Sequence, residues 1–514
     1  MVLKNTNKRV NCLSHTFFSG ARKFLAFRIG DSMTLKLTIT ISSPTDFSGM
    51  VITPTIAPET VTHETAGKET GDIRRLGDKT LLSLGPQKKL SPEALRRAGG
   101  LLAKWLSKNN VSEAGLELNP LFGLGLPPVG AVYALVEGLL LGAFTFSTYK
   151  SEHEEKVSVL RLLIGAETNP AAGSGRGPSQ EDLEQVIRKA EIVAEAVNLA
   201  REWSHEPPNV INPVTLAERV QKMADETGLK CTILDDKQLA EIGAGAMVAV
   251  GKGSNTPARL IILEHAGADG QPVALVGKAL TMDTGGYSIK PTDGIVGMKY
   301  DKSGGMAVIG TMLATAKLGL KTPVVGVIAA AENMISAAAY RPDDILKALN
   351  GKTIEIVSTD AEGRLVLADA LTYTEQTFKP RAILDIATLT GAVVIALGSV
   401  RAGIFSTHDE LAEALYQAGE RTHERVWRLP LDEEYFEPIK GDDADLKNSG
   451  GRKAGSIIGG MFLKQFVTES TPWAHIDIAG VMSTDKDLPY CPKGGLGFGV
   501  RLFLEYLENL EWPS

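Results

Sequence analysis

The run Ser358-Thr-Asp-Ala-Glu-Gly-Arg-Leu-Val-Leu-Ala-Asp-Ala370 puts two carboxylates, Asp360 and Glu362, in a short turn, with Arg364 two residues further on. The apolar positions that follow, Leu365, Leu367, Ala368 and Leu371, read as a largely buried helix, so the charges sit at the mouth of a packed element. Carboxylates two residues apart on an irregular turn can aim at one point, which successive helix or strand positions cannot do. Hard divalent cations take such oxygen ligands. The competing reading is a helix cap, with Asp360 or Glu362 accepting from the free N–H groups of the first turn.

A second cluster upstream shifts the balance toward a metal site. It runs Val276-Gly-Lys-Ala-Leu-Thr-Met-Asp-Thr-Gly-Gly-Tyr-Ser-Ile-Lys-Pro291 and continues in Met298-Lys-Tyr-Asp-Lys-Ser-Gly-Gly305. Val273 to Val276 is short and unbroken, as a buried parallel strand would be, and Lys278 is expected at its carboxyl end. Open α/β sheets place their ligands at that edge. Asp283, Lys290 and Asp301 follow in Gly-rich loops whose backbone can approach a bound group closely. Four acids, Asp283, Asp301, Asp360 and Glu362, could neutralise two divalent cations. Lys290 and Arg364 remain to bind an anion or polarise a carbonyl.

These two stretches resemble the leucyl aminopeptidase (cytosol aminopeptidase) family of dimetal exopeptidases. The family signature Asn-Thr-Asp-Ala-Glu-Gly-Arg-Leu is matched by Ser358 to Leu365, and its Val-Gly-Lys-Gly-(x)2-Phe-Asp-Ser-Gly-Gly motif by Val276 to Gly286. The similarity extends from about Glu137 to the C-terminus and includes Pro207-Pro208-Asn209-Val210 and Gly497-Phe498-Gly499-Val500-Arg501.

The resemblance implies an aminopeptidase that removes an N-terminal leucine or other large apolar residue from peptides with a free N-terminus. It implies two divalent ions, zinc or manganese first, magnesium or cobalt as alternatives. Asp283 and Glu362 would bridge both ions, Lys278 and Asp301 would complete the more exchangeable site, and Asp360 the other. A water held between two cations loses a proton near neutral pH and becomes the nucleophile. Lys290 would stabilise the developing oxyanion, and Arg364 would hold a bicarbonate ion as general base. Met298, Thr388, Leu389 and Gly391 match positions that line the family's substrate cleft, although core packing and turn formation would equally account for them. The family assembles as a homohexamer. Departures from its pattern are Ala279, Met282, Thr284 and Ser358, which preserve size or polarity, and Lys302 where a Met is usual. A cation next to Asp301 could weaken the exchangeable metal, unless an extended backbone turns its side chain away.

The remaining composition bounds the alternatives. A chain of 514 residues predicts more than one domain, and 43% hydrophobic with 22% charged residues is ordinary for a globular chain with a large core. A net charge of −7 argues against a nucleic-acid coat. Three scattered cysteines, Cys12, Cys231 and Cys491, suggest a reducing compartment and no disulfide framework. Gly130 to Phe146 is the most apolar stretch, but Glu137 interrupts it, and it reads as a buried helix running into a strand rather than a membrane span. None of His205, His408, His423 and His475 has a second His or Cys at ligand spacing, so each reads as structural. Gly251-Lys-Gly253 lacks the Lys-Ser/Thr of a phosphate loop.

Residues 1–32 carry six basic residues against the single acid Asp31. They read as an upstream extension before the clean strand that follows Met33, which leaves the protein cytoplasmic; a transit peptide, with organelle import, is the alternative. Residues 33–178 are expected to form an α/β N-terminal domain, macro-domain-like by the family resemblance. Leu35–Ile41, Leu81–Leu84 and Leu160–Ile164 read as its strands and Ser91–Leu106 as a helix capped by Ser91. Asn169–Ser179 reads as a linker, and residues 179–206 as a linker helix with one apolar face. Residues 207–514 form the catalytic domain, an α/β unit with a central mixed sheet flanked by helices. Its strands are expected at Cys231–Leu234, Arg259–Leu263, Val273–Val276, Val324–Ala329, Ala382–Ile386 and His475–Ile478. Two rivals are a two-metal phosphoesterase, which commonly includes His ligands, and a non-catalytic assembly or nucleic-acid-binding protein, against which the intact set of seven polar site residues speaks.

Overall fold

A computed structural model describes residues 35–58, 67–151, 156–164 and 178–510. Residues 1–32, Cys12 and most of the expected linker Asn169–Ser179 lie outside them.

Alternating apolar positions near the start of the chain build the first sheet. Its strands are β1 (Leu35–Ser42), β2 (Val51–Thr55), β3 (Ile73–Leu76), β4 (Lys79–Ser83), β5 (Glu113–Glu117) and β6 (Lys156–Leu163). They lie in the order β1-β6-β5-β2-β4-β3, parallel except for the β3–β4 hairpin at one edge. Helix Pro92–Lys108 begins as the sequence predicts, with the Ser91 hydroxyl accepting from Ala94 N. It packs closely on helix Pro128–Gly142, because a Cβ at Gly138 would lie only 1.9 Å from the Arg96 carbonyl oxygen. The apolar stretch around Glu137 is this second helix, and Glu137 is buried against Arg96 at 2.5 Å, which makes its carboxylate tolerable inside. The strand expected after this helix does not form. Residues 143–150 turn instead, and Phe144 and Phe146 spend their apolar surface on His205.

Helix Gln180–His205 follows, opened by a capping box between Ser179 and Asp182. It packs on both helix Pro128–Gly142 and helix Ser303–Leu318. In chain order the later strands are β7 (Lys230–Leu234), β8 (Arg259–His265), β9 (Val273–Asp283), β10 (Val324–Asn333), the short β11 (Ile345–Lys347) and β12 (Thr353–Glu355), β13 (Ala382–Ala387), β14 (Ala402–Ser406), β15 (Val426–Arg428), β16 (Leu446–Lys447) and β17 (Trp473–Asp477). Eight of them form a mixed sheet in the order β15-β14-β17-β13-β9-β10-β8-β7. Its centre, β17-β13-β9-β10, is parallel, and these strands are buried almost throughout because helices cover both faces. One face packs on helices Gln180–His205, Ser303–Leu318 and Val500–Glu508, the other on Gly363–Phe378 and Gly455–Lys464. The molecule is thus a two-domain α/β protein whose larger domain is three layers thick.

The central strand differs from expectation in a way that matters for the site. β9 does not stop at Val276; it runs on to Asp283 along β10, while its pairing with β13 ends at Gly277. Lys278 is therefore the first residue beyond the β13 edge and still inside the β10 ladder. Along that ladder Leu280 pairs with Ala331 and Met282 with Glu332, which leaves Thr281 as an extra residue. Such a bulge shifts the alternation of side chains by one. Lys278 and Asp283, five positions apart, consequently project to the same side.

Candidate metal centre

Three chain segments converge at the carboxyl edge of β9 and β13. Asp283 ends β9; Asp301 sits in a 3-10 turn, Met298–Lys302; Asp360 and Glu362 precede helix Gly363–Phe378. Ligand oxygens of Asp283, Asp301 and Glu362 lie within 4.8 Å of one another, and all three residues are buried. Asp360 is more open and stands across Lys290 from them.

The two lysines bind the cluster together. Lys278 Nζ is 2.9 Å from each of Asp301 Oδ1, Glu362 Oε1 and the Thr388 carbonyl oxygen. Lys290 Nζ lies 2.7 Å from Asp283 Oδ2 and also donates to Asp360 Oδ1. Glycine makes room for both contacts. A Cβ at Gly363 would lie 2.7 Å from Lys278 Cε, and one at Gly285, whose φ is +84°, would meet Ser288 O at 2.5 Å and Asp360 Oδ1 at 2.9 Å. The family-like Gly following Glu362 is thus the notch through which the lysine reaches the acids.

The charges are held against their preference. Burial, reinforced by the nearby Asp283 charge, pushes the Glu362 carboxyl up to about 8, although Lys278 pulls the other way. Burial likewise raises Asp301 to about 6 and Asp360 above its ordinary value. Burial disfavours the Lys278 and Lys290 ammonium groups, yet the surrounding carboxylates outweigh it and raise both. Lys278 thus stands at ion-pair distance from both Asp301 and Glu362. Asp301 Oδ2 is buried and has no hydrogen-bond partner. A buried carboxylate with one unanswered oxygen, beside two further buried acids, makes a donor set that suits a divalent cation.

Arg364 is buried, with Nη1 donating to the Asn448 carbonyl at 2.8 Å and its guanidinium over the Phe462 ring. Burial lowers its pKa to about 10, and its Nε has no protein partner. Among the residues matched to a substrate cleft, Thr388 joins the cluster directly: its hydroxyl donates to Asp301 Oδ1 at 2.6 Å. Leu389 is half-buried against the core, Gly391 is exposed at the start of helix Gly391–Leu397, and half-buried Met298 opens the turn that carries Asp301.

Several uncharged or single residues that the sequence did not single out position this site. Asn333 Nδ2 donates to Asp283 Oδ1 at 2.8 Å and to Thr359 O at 2.9 Å. The Thr359 hydroxyl donates to Gly285 O at 2.6 Å and accepts from Ser288 N at 2.7 Å, tying the Asp283 loop to the Asp360 turn. Asn448 accepts from Val357 N and Ser358 N and donates to Ser358 O, holding that turn from below. Asp477 accepts from Leu389 N and from the Thr390 hydroxyl, fixing the loop after β13. Asn333 and Asp477 both end strands at this edge, the one signal that could have pointed to them.

Lys302 is turned away from the acid cluster, though not by an extended backbone. The segment is a 3-10 turn, and Lys302 Nζ points to the carbonyl oxygens of Ser204, Glu206 and Lys299 at 3.1, 2.9 and 2.6 Å. The histidines stay outside the cluster. His475 Nδ1 pairs with Asp385 at 2.5 Å, His205 Nδ1 contacts Arg201 O at 2.7 Å, His408 pairs with Thr407, and His423 ends a helix. Cys231 and Cys491 are free thiols, and no helix among the described residues is long and apolar enough to cross a membrane.

Comparison with known proteins agrees with this architecture in both domains. Residues 198–504 match the cytosol aminopeptidase family catalytic domain, and residues 69–153 its N-terminal domain. A probable cytosol aminopeptidase of Syntrophotalea carbinolica is 45% identical over 431 residues, 84% of this chain and 85% of the relative. A probable cytosol aminopeptidase of Rickettsia bellii is 36% identical over 480 residues, 92% and 91% of the two chains. Among solved structures, the bottromycin maturation enzyme BotP in complex with Mn superposes with a TM-score of 0.81 at 30% identity, covering 89% of this chain and 98% of that one. The chain belongs to the cytosol aminopeptidase family and is a peptidase of the metal-dependent aminopeptidase type.

Proposed function

We propose that the protein is a two-metal aminopeptidase that removes a leucine or similarly large apolar residue from the free N-terminus of peptides. The observation that carries the metal assignment is the buried group of Asp283, Asp301 and Glu362 oxygens within 4.8 Å, with Asp301 Oδ2 unanswered. Asp283 and Glu362 would be shared between two ions, Lys278 and Asp301 would complete one site and Asp360 the other. Manganese or zinc suits this oxygen-rich set with one nitrogen. Bound there, two divalent ions supply Lewis acidity and a water acidified to near neutral pH.

The chain's own groups do the rest. Lys278 must surrender a proton to act as a ligand, since an ammonium has no lone pair; divalent charge in place of the present ion pairs favours that loss. Lys290, whose Nζ lies between Asp283 and Asp360, is placed to meet the carbonyl oxygen of a scissile peptide as negative charge develops on it. Arg364, with an unused Nε in a buried setting, is suited to hold a small anion such as bicarbonate that takes up a proton. Thr388 and the Leu389–Gly391 loop would border the apolar side chain being removed. Homohexamer assembly and a cytoplasmic location belong to the same reading.

Hydrolysis of leucine anilide and of an aryl phosphate, by chelated protein with manganese or zinc restored, tests it. Metal-dependent release from the anilide alone is expected; release from the phosphate alone would favour a phosphoesterase.

A further inference from the structure

The turn that presents Asp301 is held from behind by the end of the helix joining the two domains. Ser204, His205 and Glu206 close helix Gln180–His205, where carbonyl groups lack intrahelical partners. Lys302 Nζ takes the carbonyls of Ser204 and Glu206, and Lys299 Nζ takes that of His205 at 2.8 Å. Lysines three apart on a 3-10 turn stand on one face, so both reach the helix end together. Cations at a helix carboxyl terminus are also favoured by its dipole. Asp301 lies between them in sequence but turns to the other side, toward Lys278 and Thr388.

The same helix end is braced by the N-terminal domain. Phe146 stacks on His205 with ring centroids 5.0 Å apart, and Tyr300 meets the His205 ring edge-on at 5.5 Å. The Tyr149 hydroxyl donates to the Glu206 carboxylate. One continuous set of contacts therefore runs from the segment 144–149 through His205 and Glu206 to the turn carrying Asp301.

We propose that Lys302 is a positioning residue for Asp301: by capping the carboxyl end of helix Gln180–His205 it fixes the turn from which Asp301 reaches the metal centre. The proposal rests on the two-metal reading above. Its side chain is fully buried, and a methionine there would fill the space while leaving the Ser204 and Glu206 carbonyls without this donor. The role is one of geometry, since the amine contacts neither Asp301 oxygen nor another site carboxylate among the described contacts.

The test is calorimetric titration of chelated full-length protein with manganese, for wild type, Lys302→Met and Lys299→Met, beside thermal melts of each. Wild type should take two ions. Lys302→Met should bind one of them about 10-fold or more weakly while the other keeps its affinity, as expected when a group supporting a ligand is lost. Lys299→Met should weaken the same ion by a smaller factor. A folded Lys302→Met that binds both ions with wild-type affinity overturns the proposal, whatever its melting temperature. Should Lys302→Met fail to fold, unchanged affinity in Lys299→Met overturns it and selective weakening supports it. Wild type taking no manganese or zinc would instead overturn the two-metal reading itself.

Discussion

Lys278 and Asp283 stand five residues apart on one strand yet face the same buried cluster, because Thr281 is an extra residue in the register with the neighbouring strand. In a regular strand, residues an odd number apart face opposite sides. One inserted residue thus decides whether a lysine and a carboxylate can share a site. The bulge lies where β9 has already outrun β13, so its irregular backbone disturbs only one ladder.

Gly363→Ala tests how tightly that lysine is threaded. A Cβ would come within 2.7 Å of Lys278 Cε, so the amine must move away from Asp301 and Glu362. A displacement of this order should lower kcat/KM by about 100-fold while the fold persists. Steady-state kinetics with circular dichroism check it; undiminished activity would mean that Lys278 has freedom the packing denies it.

Glu362→Ala and Arg364→Ala should separate metal holding from proton handling. Without Glu362 the protein should lose metal and fall to background hydrolysis. Arg364→Ala should keep both ions, lose about 100-fold in rate and lose activation by bicarbonate. Metal analysis of the dialysed variants decides, and equal metal loss in the two would reject the division of roles.

Lys278→Arg retains a positive charge that can hardly be removed. It should therefore exclude one ion, while the one assigned to Asp283, Asp360 and Glu362 can remain. Counting bound manganese after gel filtration checks this; two ions held with wild-type affinity would show that Lys278 is no ligand.

Away from the site, Glu191 on the interdomain helix carries a pH-dependent cost. Burial pushes its carboxyl from about 4.5 up to about 7, with Glu195 adding to the rise and Arg188 opposing it. An acid with a raised folded pKa binds its proton more tightly in the folded state, so stability falls as pH rises through that interval and stays lowered above it. Glu191→Gln should melt higher than wild type above about pH 7, with the difference shrinking toward pH 4.5. Melting curves across that range check the sign; a gain largest in acid would contradict it.

The candidate site residues were legible because charges embedded in Gly-rich and apolar sequence are conspicuous. Asp283, Asp301 and Glu362 converge as the two motifs implied, and Lys278 joins them. Val273–Val276 and Val324–Ala329 were legible as strands for the same reason that they are buried: they are apolar runs. The supports were not legible. Thr359, Asn333 and Asn448 act through one or two hydrogen bonds between segments far apart in sequence, and a single polar residue has no periodicity to betray it. Lys302 shows the limit from the other side. Its proximity to Asp301 in sequence suggested electrostatic interference, but a 3-10 turn sends its amine to the end of a helix nearly a hundred residues earlier. Phe144 and Phe146 looked like the start of a strand because aromatic residues favour one, and tertiary packing on His205 overrode that preference.

The most direct measurement is simultaneous: manganese bound and leucine anilide hydrolysed, followed as chelated protein is titrated with the ion. The account predicts negligible hydrolysis without metal, two ions bound per chain at saturation, and activity rising with occupancy of the weaker site. Full hydrolysis by protein verified to contain no metal would contradict it.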